Sequence, residues 1–182
     1  MNLDHSVVFM DLPAHGDSTG TQSSIPHSAR ALSAVVAAIG PLHAAIAHSM
    51  GSPILAEALY NGLPVARVVL IAPPAHFERY VRGAAAAAGL DAEGTNATLE
   101  KVTAAIGVDV RDLSLPRRAT HLRQPALLIH SSDDRIIAIE DSLAIVAAWP
   151  GALHMRVEGL GHQRILADPT VVAAAVEFAT AM

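Results

Sequence analysis

Short runs of unbroken apolar residues alternate along this chain with helix-forming stretches, and the alternation carries most of what the sequence says about its architecture. Ser6–Met10 reads as a first strand ending at Asp11-Leu12-Pro13. A polar, glycine-rich stretch follows, then a helix from about His27 to Ile39 and a second strand over Leu42–Ala47. The next helix spans about Ser52 to Tyr60, with Pro53 tolerated in its first turn and Asn61-Gly62 as its stop. Val65–Ala72 is a strand closed by Pro73-Pro74, Gln124–His130 repeats the signal, and Leu153–Val157 is the last strand. Between these last two lies a helix over Ile139–Trp149, closed by Pro150-Gly151. Asp168-Pro169 then caps a terminal helix running to Met182. Strands without polar alternation, set between helices, indicate a mostly parallel sheet covered on both faces, a three-layer α/β/α domain.

One segment departs from this rhythm. Residues 75–124 are alanine-rich and helix-prone, over Gly83–Gly89 and Asn96–Ile106, and hold no convincing strand. They read as a helical cap inserted into a single domain spanning 1–182, or as surface helices padding the sheet.

Composition narrows the class. Hydrophobic residues make up 52% of the 182 but aromatics only 3%, so alanine and the branched aliphatics must fill the core. A net charge of −5 argues against a nucleic-acid partner, which needs a basic surface. The apolar stretches break well short of the ~18 residues of a membrane span. The opening residues lack the basic cluster of a secretory leader, and no cysteine is present, which agrees with a cytoplasmic location.

The candidate chemistry sits at strand ends. Ala47-His48-Ser49-Met50-Gly51 falls between a predicted strand and a predicted helix, the context a nucleophile elbow requires. Small residues two positions either side of Ser49 permit the tight turn, and the following helix aims its first N–H groups at a developing oxyanion. Ser131-Ser132-Asp133-Asp134 sets two carboxylates beyond the next-but-one strand, and Gly159-Leu160-Gly161-His162 sets an imidazole beyond the last. Serine, acid and histidine thus follow in an order known for a hydrolytic triad, at the sheet edge where α/β proteins build sites. The ten histidines hold no i, i+4 pair with an acid of the kind that binds zinc, and neither a phosphate loop nor a dinucleotide fingerprint is present, so no metal and no cofactor are expected. His15 and His48 flank the motifs and are candidate substrate contacts. His43 and His154 fall inside strands and read as buried, and Arg117, Arg118 and Arg123 as a solvated face.

Taken together, Val8 to Ser18, Ala47 to Gly51, Ser131 to Asp134 and Gly161-His162 resemble the α/β-hydrolase superfamily. The first is similar to its Asp-x-Pro-Gly-His-Gly-x-Ser segment, the second to its elbow, the third to its Gly-x-x-Asp and the last to its Gly-His. The resemblance runs from about Val7 to the C-terminus and is closest to bacterial esterase-like members with a short helical cap. It implies Ser49 as nucleophile, His162 as general base, Asp134 in preference to Asp133 as the acid, and the Met50 amide as an oxyanion donor. The implied activity is hydrolysis of small carboxylic esters through an acyl-enzyme, or lactonase, thioesterase or acyltransferase chemistry on the same triad.

The family's first three strands and its His-Gly loop have no counterpart before Val7. A backbone amide near Leu12–His15 is the expected substitute for the second oxyanion donor. The strand at Val7–Met10 is expected to shift toward Leu42–Ala47, or another chain to fill the gap in a homodimer. An impaired hydrolase serving as a binding or assembly module is the alternative reading.

Overall fold

A computed structural model describes residues 5–181. Four strands, β1 (Leu42–His48), β2 (Val65–Ile71), β3 (Ala126–Ser131) and β4 (Leu153–Val157), form one all-parallel sheet in the order β1-β2-β3-β4. Parallel strands require crossovers. These are α2 (Gly51–Tyr60) after β1, a long helical excursion after β2 and α6 (Ile139–Ala148) after β3. Helix α1 (Ile25–Ile39) precedes β1, and α7 (Gly161–Arg164) and α8 (Pro169–Thr180) follow β4.

Side chains along the central strands alternate between two cores. Val68 and Leu70 of β2 and Ala126 and Leu128 of β3 face a cluster with α1, α2 and α6 that includes Ala29, Leu55, Leu59, Ile145 and Trp149. Val69, Ile71, Leu127 and Ile129 face the opposite cluster, covered by Val171, Ala175 and Ala179 of α8. Burial on both faces explains the unbroken apolar runs. The caps are those the side chains dictate: Ser24 accepts from the His27 amide, with Pro26 in the first turn of α1, and Asp168 accepts from Thr170 and Val171 ahead of Pro169.

The excursion holds α3 (Phe77–Ala87), α4 (Ala92–Ile106), a 3-10 turn at Val110–Asp112 and α5 (Leu115–Ala119). Val81, Leu99 and Val110 give it a small core of its own. Its entry and exit run antiparallel: Phe77 N–H donates to Leu113 O, Leu115 N–H to Ala75 O, and His76 bridges Ser114. Asp141 of α6, its side chain 3% exposed, clamps that neck by accepting from Ala75 N–H (3.0 Å) and Arg79 Nη1 (2.6 Å).

Several expectations fail here. Ser6–Met10 forms no strand: the segment is irregular, with Val7, Val8 and Phe9 71, 56 and 90% exposed, because no neighbouring strand pairs with it. It does not pair with β1, and His5, just before it, stacks on His43 with ring centroids 5.6 Å apart. His43 is consequently exposed on an edge strand, whereas His154 is half-buried and bonded to Ser142 Oγ at 2.9 Å. Arg118 belongs to no solvated face. Its Nε donates to Glu57 Oε2 at 2.7 Å, with both side chains mostly buried, and its guanidinium lies 4.4 Å from the Tyr60 ring centre. Arg117 and Arg123 remain peripheral, on Asp112 and on local carbonyls. The terminal helix ends at Thr180, and Met182 lies outside the described residues.

Candidate active site

Ser49 follows β1 directly, and its φ of 50° lies in the left-handed region that a side chain seldom occupies. The turn is held from both sides: Ser49 N–H donates to Ile71 O of β2, and Ser52 N–H returns to Ser49 O as α2 begins. A Cβ placed on Gly51 would meet that of Ala47 at 3.6 Å, so the two small residues face one another across the turn. Strain of this kind persists only where the surrounding structure enforces it, and it is characteristic of functional sites. Met50 then opens α2, placing its amide at the positive end of the helix.

The imidazole arrives on a loop fastened by the residue that sequence motifs passed over. Asp133 Oδ1 accepts from Ser131 Oγ, from Gly159 N–H (3.0 Å) and from Gly161 N–H (3.2 Å). Ser131 Oγ also accepts from the Leu160 and Gly161 amides, at 3.2 Å each. Gly159 and Gly161 both have positive φ, 78° and 60°, which lets the chain double back here. Asp133 is held below the usual carboxylate range, first by the Ser131 hydroxyl and then by the Gly161 amide.

His162, 8% exposed, sits between the other two groups. Its Nδ1 lies 2.7 Å from Asp134 Oδ2 and its Nε2 3.0 Å from Ser49 Oγ. The Asp134 side chain is fully buried. Burial alone would raise its carboxyl, but hydrogen bonds from Ile137 N–H, His162 and Ile136 N–H outweigh it and hold the group below its ordinary value. An ionised Asp134 accepts the Nδ1 proton, which leaves Nε2 as the acceptor for the serine hydroxyl. Of the two neighbouring carboxylates, Asp134 therefore meets His162 while Asp133 binds the loop that carries it.

His48 lies within this cluster, against His162. Its Nε2 donates to the His162 carbonyl at 3.0 Å, and the two rings pack at 4.7 Å. Burial, opposed by that hydrogen bond, pushes the His48 imidazole below its ordinary value. His15 is exposed and donates from Nδ1 to Pro13 O at 2.9 Å, within its own loop. In that loop Asp11 Oδ2 accepts from Asp17 N–H, Ser18 Oγ donates to Asp11 O, and a Cβ on Gly16 would collide with the Asp11 carboxyl. In the turn expected to supply the second oxyanion donor, the Ala14 and His15 amides are committed to Thr19 O and Leu12 O, and Pro13 has none.

An elbow serine, a carboxylate and a buried imidazole thus stand together beyond the ends of β1, β3 and β4. Residues 2–175 match the profile of the alpha/beta hydrolase family. The chain belongs to that family. Solved structures agree in fold. The α/β hydrolase resembles an esterase from Exiguobacterium antarcticum with a TM-score of 0.72, at 13% identity over 94% of this chain and 80% of the other. It resembles Est816, described as an N-acyl homoserine lactone degrading enzyme, with a TM-score of 0.71, at 17% identity over 92% and 80%. The esterase RhEst1 from Rhodococcus sp. ECU1013 gives 0.64, at 18% identity over 93% and 78%. A search of curated proteins finds no match. Among the described residues no group of three or more His, Asp or Glu could hold a metal ion, and no helix is long and apolar enough to cross a membrane.

Proposed function

We propose that this α/β hydrolase is a serine esterase acting on small carboxylic esters, with Ser49, His162 and Asp134 as its triad. The observation that carries the reading is the unbroken contact chain from Ser49 Oγ to His162 Nε2 (3.0 Å) and from His162 Nδ1 to Asp134 Oδ2 (2.7 Å). Ser49 Oγ attacks the ester carbonyl while His162 Nε2 takes its proton. Asp134 stabilises the resulting imidazolium, and the Met50 amide receives the oxyanion. His162 returns the proton to the leaving alcohol, and a water activated by the same imidazole releases the acid from Ser49. The helical excursion over 75–124 is assigned as a cap, a reading its separate small core and pinched neck support.

Wild type and Ser49→Ala are to be compared on short- and long-chain nitrophenyl esters and on a lactone, with labelling by a fluorophosphonate as a substrate-independent readout. Turnover and labelling that both vanish in the alanine variant are expected. A folded wild type that neither labels nor turns over would overturn the assignment.

A further inference from the structure

His130 ends in a part of the molecule where an imidazole is costly. It lies in β3, is completely buried, and its Nδ1 has no hydrogen-bond partner among the described residues. Its other nitrogen reaches the acid of the triad. Nε2 donates to Ile137 O at 3.0 Å and stands 3.4 Å from Asp134 Oδ2, the same oxygen that His162 Nδ1 contacts. Ile137 in turn donates its own N–H to Asp134 Oδ1 at 3.0 Å. His130 thus supports the carboxylate in two ways, by standing 3.4 Å from Oδ2 and by holding the carbonyl of Ile137, the residue whose own amide donates to Oδ1. A phenyl or leucyl side chain would fill this apolar position without leaving a bare Nδ1 lone pair, so packing does not explain the imidazole.

We propose that His130 is a positioning residue for the triad, a second histidine on Asp134 that fixes the carboxylate and moderates its pull on the His162 proton. The inference rests on the reading of His162 as the base. A neutral N–H 3.4 Å from an anion offsets part of its charge, so Asp134 holds a protonated His162 less tightly with His130 present than without it. The groups facing this centre are known from every side. Asp141 comes from α6, His154 from β4, His48 from the elbow, and Tyr80 and Arg79 from α3. Tyr80, raised to about 12 chiefly by burial, stays neutral throughout the working range. His130 is itself lowered, first by burial, and so remains the neutral donor the argument needs.

The test is the titration of His162, followed by NMR on protein labelled with carbon-13 in its histidine rings, the signal being assigned by its loss in His162→Ala. In His130→Phe the His162 pKa should rise by about 0.5 unit or more. The acidic limb of kcat/KM should move with it, and kcat should fall roughly tenfold at unchanged KM, the worth of one hydrogen bond. His130→Gln, whose amide nitrogen reaches the place of Nε2, should restore part of both. His130→Asn, which reaches only the place of Nδ1, should not, and it serves if the phenylalanine variant fails to fold. A His162 pKa unmoved or lowered in a folded variant overturns the proposal. Because the titration needs no turnover, a wild type inert toward esters that still shows the shift would sink the esterase reading and leave this one standing. An active wild type without the shift would do the reverse.

Discussion

Asp134→Asn is the substitution whose outcome the geometry constrains most tightly. Two backbone amides, Ile136 at 2.8 Å and Ile137 at 3.0 Å, point at Oδ1 and demand an acceptor there. The asparagine must therefore place its oxygen on that side and aim its NH₂ at His162 Nδ1, where Oδ2 now stands at 2.7 Å. The opposite orientation would set a donor against two donors in a fully buried site. With NH₂ facing it, Nδ1 must accept, so Nε2 carries the proton and has no lone pair for the Ser49 hydroxyl. Catalysis should drop by ~10⁴ in kcat, about 5 kcal/mol of transition-state stabilisation. Asp133→Asn supplies the internal control. Its amide oxygen still accepts from Gly159 and Gly161, so the loop stays in place and activity should remain within roughly tenfold of wild type. Steady-state hydrolysis of a short nitrophenyl ester measures both, with circular dichroism to establish folding. An Asp134→Asn enzyme keeping a tenth of wild-type kcat, or an Asp133→Asn enzyme as inactive as its neighbour, would refute the assignment of tasks.

Stability should fall on acidification in two stages. His48, His130 and His154 all have folded values below the ordinary 6.5, each first by burial, so the unfolded chain takes up protons earlier and stability declines as pH drops below about 6.5. Asp133 and Asp134 are held below 3.8, so their contribution persists above that pH and is lost as pH falls through their folded values. Thermal melts between pH 8 and 3 check this, and a Tm flat from pH 7 to 5 would contradict it. Asp141→Ala should cost about 1–3 kcal/mol, because it strands the buried Ala75 N–H at the neck of the excursion, whereas Arg79→Ala should cost under about 1 kcal/mol, its guanidinium being mostly in water. Urea unfolding of the two variants decides it, and equal losses would mean that the ion pair, not the amide, matters.

What could be read from the sequence divides along a physical line. β2 and β3 are buried on both faces, and their apolar runs announced them to within about two residues, because solvent never imposes alternation on such strands. The same signal misled at Val7–Phe9, where the run is as apolar but, among the described residues, pairs with no strand. A strand is a property of a pair, and local pattern reports only one member. The site divides likewise. Ser49, Asp134 and His162 were findable because backbone geometry confines them to fixed offsets from strand ends, leaving motifs such as Ala47–Gly51. Asp133, Ser131 and His130 carry no such offset. Their roles come from partners about 26 residues on, in Gly159 to Gly161, or from a carbonyl seven residues away, and each looks in sequence like an ordinary loop or strand residue. His130 was hidden most completely, since a histidine closing a buried strand reads as a satisfied core group. Its bare Nδ1 becomes visible only when every partner around it can be counted. The support of a catalytic group is long-range in sequence and short-range in space, so it is written in coordinates more than in motifs.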